Sequence, residues 1–140
     1  MKNGVIIVDH GSTRGESNQM LERVAQLFAV RFRSKHDIVE PAHMEIAEPS
    51  ISTAYKKCVE RGAERIVVLP FFLGPGKHWT QDIPRLTAEA AQQCPGTHYH
   101  VAPTLGIDDL ILDLLDKRMM HCVEHEYVCE SCEGTVRCGK

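Results

Sequence analysis

The chain opens on a continuous apolar, β-branched run, GVIIVDH at Gly4–His10. A strand-length run without polar alternation is the pattern of a strand covered on both faces in a parallel sheet. From Glu16 to Lys35 the period changes. Met20, Leu21, Val24, Leu27, Phe28 and Phe32 recur at three- and four-residue intervals, which predicts an amphipathic helix with that stripe turned inward. A short strand follows at Ile38–Met44, and Glu48-Pro49-Ser50 then supplies the proline and serine that suit a helix start. Ile51, Ala54, Tyr55, Cys58 and Val59 stripe the second helix, which Gly62 ends at its C′ position.

Arg65–Leu69 is a third buried strand, and the prolines and glycines of the following PFFLGPGKH loop exclude regular structure. A third helix is predicted from Trp79 to Gln93, stopping before Pro95-Gly96, and a fourth strand at Thr97–Ala102. Ile107, Leu110, Ile111, Leu114 and Leu115 stripe a fourth helix to Met120. Strands alternating with helices predict an α/β fold: a doubly wound parallel four-stranded sheet with helices on both faces. Residues 122–140 read as a non-helical, cysteine-rich tail, so the expected division is 1–121 and 122–140.

At 140 residues, with 43% hydrophobic and 25% charged, the chain holds one globular domain and little more, and disordered and fibrous classes are excluded. Its longest apolar stretch, Ile66–Leu73, is far short of the ~20 residues that cross a bilayer. A net charge of −3 and a pI near 6.2 supply no global field for nucleic acid, so an anionic partner needs a local basic patch. With a strand-like run starting at Gly4, no transit or other targeting peptide is expected in this chain.

Open parallel sheets bind ligands beyond the carboxyl ends of their strands, near the topological switch point. His10 closes the first strand, Glu45 closes the second, and His78 ends the glycine-rich loop after the third. Two imidazoles and a carboxylate suit a divalent transition metal such as Fe²⁺ or Co²⁺ with coordination positions left open. The loop HGSTRGES lacks both phosphate-binding glycine patterns. Ser12 lies in no G-x-S-x-G turn, so a serine hydrolase is disfavoured. GPGKHW joins flexible glycines to Lys77, His78 and the single tryptophan, Trp79. It reads either as a loop closing on a flat anionic ligand or as an ordinary connection.

Four of the six cysteines, Cys122, Cys129, Cys132 and Cys138, lie in the tail with C-x₆-C-x₂-C-x₅-C spacing. A Cys₄ zinc site, a [2Fe–2S] cluster and two disulfides all fit that spacing, and the single C-x₂-C pair tilts it toward a cluster. Cys58 and Cys94 read as core residues. His36, His43, His98 and His100 read as strand and loop residues. His121 and His125 flank the tail as spare or supporting groups, with no role assigned.

VIIVDHGS, EPAHMEIAEPSI and VLPFFLGPGKHWTQDIP together resemble the small chelatases that insert a metal into sirohydrochlorin, in order and spacing over Gly4 to about Met120. The tail HCVEHEYVCESCEGTVRC resembles the ferrochelatase form of plants, algae and some cyanobacteria, which serves siroheme synthesis and carries a C-terminal [2Fe–2S] cluster. The resemblance implies a chelatase-like, flavodoxin-like topology and a lyase that exchanges Fe²⁺ for two pyrrolic protons. It implies His10 and His78 as metal-binding, proton-accepting residues, with Glu45 as an acidic ligand. Cys122, Cys129, Cys132 and Cys138 would hold the cluster. Ser12, Arg14, Lys77, Trp79 and Arg85 are the expected contacts to the carboxylate-rich tetrapyrrole, since the protein's net charge opposes that ligand. A homodimer is implied, in a chloroplast stroma or a cyanobacterial cytoplasm. Insertion of cobalt or nickel is the alternative within the class, and a non-catalytic metal- or redox-sensing module is the alternative outside it.

Overall fold

In the computed structural model, which describes residues 1–139, four strands form one parallel sheet in the order β2-β1-β3-β4. These are β1 (Asn3–Asp9), β2 (Val39–His43), β3 (Arg65–Pro70) and β4 (His98–Val101). The helices are α1 (Gly15–Arg31), α2 (Ile51–Glu60), α3 (Ile83–Gln92) and α4 (Asp109–Glu124). Strand β1 pairs Asp9 with His43 on one side and Val8 with Pro70 on the other, so the ends of β1 and β3 lie together at the switch point.

Side-chain alternation along β1 feeds two cores. Ile6 and Val8 join Ile66 and Val68 beneath α2 and α3, whose Ile51, Ala54, Tyr55 and Ile83 are fully enclosed. Each of the buried isoleucines and valines contributes roughly 1.5–3 kcal/mol on burial. Val5 and Ile7 face the other way, onto Leu21 and Ala25 of α1. The predicted stripe of α1 is therefore rotated. Met20 and Leu27 are exposed, because the sheet selects the Leu21–Ala25–Phe28 face. Ser50 caps α2 by accepting the Thr53 N–H at 3.1 Å, and Gly62 follows its C-cap at φ +101°, as the sequence predicted.

Two compact units divide the chain, Met1–Gly106 and Ile107–Lys140, so α4 groups with the tail and the division falls earlier than the expected 121. Two features of α4 differ from expectation. None of its residues is buried, and Leu110, Leu114 and Leu115 of the predicted inward stripe are exposed. The helix continues to Glu124, so Cys122 is helical and the non-helical tail begins after it. The third predicted helix also begins differently, with a π-turn at His78–Asp82 that places Trp79 before α3 proper. Among the described residues no helix is long and apolar enough to cross a membrane.

Candidate functional site

His10 directly follows β1, and its position is set by the residue before it. Asp9 Oδ1 accepts the Gly11 N–H at 3.0 Å, an Asx turn that reverses the chain at the strand end. Gly11 has φ +86°, and a Cβ there would collide with the backbone carbonyl of Glu45. The Met44 N–H donates to the Asp9 carbonyl at 2.8 Å and the Glu45 N–H to the His10 carbonyl at 3.1 Å. Glycine is thus required because the Glu45 segment lies against the turn.

His78 starts the π-turn after the glycine loop. Its Nδ1 lies 2.9 Å from Asp82 Oδ2, one turn on. That pairing assigns the Nδ1 proton to the carboxylate contact and leaves Nε2 as the free donor atom. The His10 and His78 rings meet with centroids 4.4 Å apart at 68°, and Phe72 backs His10 edge-on at 4.5 Å. Both imidazoles open onto a cavity of about 410 Å³, which Trp79 and the Phe72–Gly76 stretch complete. The Trp79 indole N–H donates to the Ala102 carbonyl at 3.0 Å, which pins that wall.

His10, His78 and Trp79 thus come together as expected from residues far apart in the chain. The other candidates do not line this cavity. Glu45 is exposed, and it does not complete a three-donor set with the two histidines within 4.8 Å among the described residues. Ser12 is engaged in the turn, its N–H donating to Asn18 Oδ1 at 2.9 Å and its hydroxyl accepting the Arg14 N–H at 3.0 Å. Arg14 is the N-cap residue of α1 and Lys77 is exposed beside His78. Arg85 is ion-paired with Glu89 at 3.2 Å.

Beneath the site lies a residue the sequence left unassigned. His43 is fully buried, with Nδ1 2.6 Å from Asp9 Oδ1 and Nε2 3.0 Å from Glu22 Oε2. Burial, the largest influence, opposes protonation. Hydrogen bonds and charge from Asp9 and Glu22 outweigh it and hold the His43 pKa above its ordinary 6.5. Asp82, four residues beyond His78, was equally unmarked, although its spacing is the usual one for neighbours on a helix.

The second unit gathers the tail cysteines. Cys129 and Cys132 Sγ are 3.8 Å apart, and the Cys132 and Cys138 sulfurs approach the Tyr127 carbonyl at 3.8 and 3.5 Å. With Cys122 they line one cavity, and none of the six cysteines of the chain is in a disulfide. A hydrogen bond from the Ser131 hydroxyl, aided by the Ser131 backbone, lowers the Cys129 pKa to about 6, giving a thiolate at neutral pH. Cys132 receives help from the Cys129 backbone, yet burial and the adjoining Cys129 sulfur hold its pKa above the usual thiol value. Cys58 is a core thiol, as expected, pushed up to about 12 chiefly by burial. Cys94 is half-buried.

A family model described as CbiX matches residues 4–122. The chain is 50% identical over 139 residues to the Arabidopsis thaliana sirohydrochlorin ferrochelatase, chloroplastic, covering 96% of this chain and 61% of that protein. It is 45% identical over 82 residues to the sirohydrochlorin cobaltochelatase of Methanocaldococcus jannaschii, covering 59% of this chain and 56% of that one. The chain therefore spans about three-fifths of the length of these relatives. Among solved structures, SirB from Bacillus subtilis with Fe³⁺ superposes with a TM-score of 0.75 at 29% identity, over 85% of this chain and 46% of SirB.

Proposed function

This chain belongs to the CbiX family, and we propose that it inserts Fe²⁺ into sirohydrochlorin, releasing two protons and forming siroheme. The observation that carries this reading is the His10–His78 pair, 4.4 Å apart between ring centroids, opening onto one shared cavity.

Metal insertion needs donors that hold the ion without trapping it and bases that accept protons near neutral pH. Imidazole meets both needs, whereas an all-oxygen site favours Mg²⁺ or Ca²⁺ and a four-sulfur site retains iron. In this mechanism His10 and His78 present Fe²⁺ to the macrocycle. As two N–H bonds of the ring break and Fe–N bonds replace them, the histidines accept the departing protons and pass them to solvent. Asp82 keeps the His78 Nδ1–H engaged, so Nε2 faces the cavity. Trp79 and Phe72 supply flat apolar walls for the ring. Lys77 and Arg14, with Ser12 in the turn before Arg14 and Arg85 on the first turn of α3, meet its carboxylates, and Glu45 assists the metal from the β2 end.

Iron is favoured over cobalt by the extent of the match. The ferrochelatase relative aligns over 96% of this chain, which takes in most of the cysteine tail, and the archaeal cobaltochelatase aligns over 59%. For the tail we propose a [2Fe–2S] cluster on Cys122, Cys129, Cys132 and Cys138, supported by four sulfurs on one cavity and a thiolate at Cys129. Such a cluster supplies a one-electron redox centre. A homodimer in a plastid or a cyanobacterial cytoplasm completes the reading, with the exposed leucines of α4 as an apolar surface for a second copy.

Anaerobic incubation of the chain with sirohydrochlorin and Fe²⁺, followed by absorption, tests the activity. The H10A/H78A variant should retain its circular dichroism and lose insertion, and full activity in it overturns the proposal. The visible spectrum of the purified chain tests the cluster independently.

A further inference from the structure

The last turn of α4 carries a metal-ligand set that the chelatase reading does not use. His121 and His125 are spaced i,i+4 on one face of the helix, with ring centroids 4.2 Å apart. Glu130, from the loop beyond the helix, brings a carboxylate to them, and one donor atom from each of the three residues lies within 4.8 Å of the others. No other group of three or more metal-ligating side chains is this close among the described residues.

Three further observations fit a cation at this point. The His125 Nδ1 lies 2.8 Å from the His121 carbonyl, which fixes that proton on Nδ1 and leaves Nε2 as a lone-pair donor. Histidines that ligate metals commonly have the second ring nitrogen held in this way. Both histidines stand at the helix C-terminus, where the macrodipole and free carbonyls favour positive charge. From His121 to Glu133 the chain has Glu124, Glu126, Glu130 and Glu133 and no lysine or arginine, while Arg118 and Arg137 line the cysteine cavity that His121 borders.

We propose that His121, His125 and Glu130 bind one exchangeable first-row divalent cation of the ferrous type. Two imidazoles and one carboxylate are the donor set of open non-haem Fe²⁺ sites, and three protein donors leave about half of an octahedron to water. His125 and Glu130 are exposed, which suits rapid exchange. The donors are nitrogen and oxygen, so the site differs chemically from the neighbouring cysteine cavity, where sulfur selects softer or clustered metals. His121 borders both, since it also lines the cysteine cavity with Cys122, Cys129, Cys132 and Cys138. This binding claim goes beyond the chelatase reading and does not depend on it.

The test uses Co²⁺ alone as the probe, added anaerobically to the full chain in an H10N/H78N background that removes the first histidine pair. Equilibrium dialysis gives the stoichiometry, near-ultraviolet absorption reports any thiolate-to-cobalt band, and NMR follows paramagnetically shifted imidazole protons. One equivalent should bind without a thiolate band. H121N/H125N should remove it, and E130Q should weaken it about tenfold or more. Identical Co²⁺ binding with and without His121 and His125 overturns the proposal. So does an ion that carries the thiolate band and is lost in C129S while persisting in H121N/H125N. All three residues lie at or near the surface, and circular dichroism separates loss of ligands from loss of fold.

Discussion

Asp9 and His43 are register partners on β1 and β2, and their side chains close the pair with a 2.6 Å contact between Oδ1 and Nδ1. The same Asp9 oxygen accepts the Gly11 N–H, so the buried histidine is tied through one carboxylate to the turn that presents His10. Glu22 on α1 takes the other ring nitrogen at 3.0 Å, which fastens helix, two strands and site together.

This arrangement predicts a pH-dependent contribution to stability. The folded His43 pKa lies above the unfolded value near 6.5. Folding is therefore favoured by proton uptake, fully below the unfolded value, and the gain is lost as pH rises through the folded value. His43→Ala should cost about 3 kcal/mol at pH 5.5, because it leaves two carboxylates facing an unfilled buried space. At pH 9 the cost should be smaller. Urea unfolding at the two pH values checks this, and an equal cost at both would show that charge pairing is not the source.

In the proposed reaction Asp82 acts through His78. In Asp82→Ala the 2.9 Å partner of Nδ1 is gone, so the ring is free to rotate and to change tautomer. Metal insertion should fall about 10- to 100-fold in kcat, with little change in KM for the tetrapyrrole. The surface ion pair to Arg85 at 3.9 Å contributes little, so stability should shift by under about 1 kcal/mol. Steady-state kinetics with a thermal melt separates the two effects.

The order of strands and helices was legible because each element carries its own period, and the placing of His10 and His78 was legible because one closes the first strand and the other ends the loop after the third, both at the switch point. His43 was not. Its partners lie 34 and 21 residues away, and nothing local distinguishes it from His98 or His100, which are exposed on β4. The α4 stripe failed for a related reason. A three- and four-residue period shows that a face is apolar without naming what covers it, and Leu110 and Leu115 remain exposed. In α1 the stripe was broader than the sheet's groove, so packing chose Leu21 and Ala25 over Met20 and Leu27. The Asp82 contact escaped because the π-turn at His78–Asp82 was read as loop running into helix.

Gly11→Ala should be among the most damaging single-methyl additions in the chain. A left-handed φ of +86° costs about 1–2 kcal/mol for alanine. The added Cβ also strikes the Glu45 carbonyl, a backbone atom held by the Glu45 N–H bond to His10. Relief requires the His10 turn and the Glu45 segment to part, so the proposed insertion activity should disappear and the melting temperature should fall. A variant with unchanged activity would show that the turn is not needed to place His10.

Thiol chemistry offers a readout inside a single molecule. Cys58 is fully enclosed and its pKa is pushed up to about 12, so it stays protonated and shielded from alkylation at any pH where the protein is folded. Cys129, lowered to about 6 by Ser131, is already a thiolate at pH 7 in the metal-free chain. Raising the pH from 7 to 9 should therefore leave its iodoacetamide rate nearly flat, whereas an ordinary thiol gains more than about tenfold over that range. Ser131→Ala should restore a rising profile at Cys129 without touching Cys58. Peptide mass spectrometry after timed alkylation reads both sites at once. Early modification of Cys58 would contradict its place in the core, and a steep pH profile at Cys129 would contradict the Ser131 hydrogen bond as the source of its acidity.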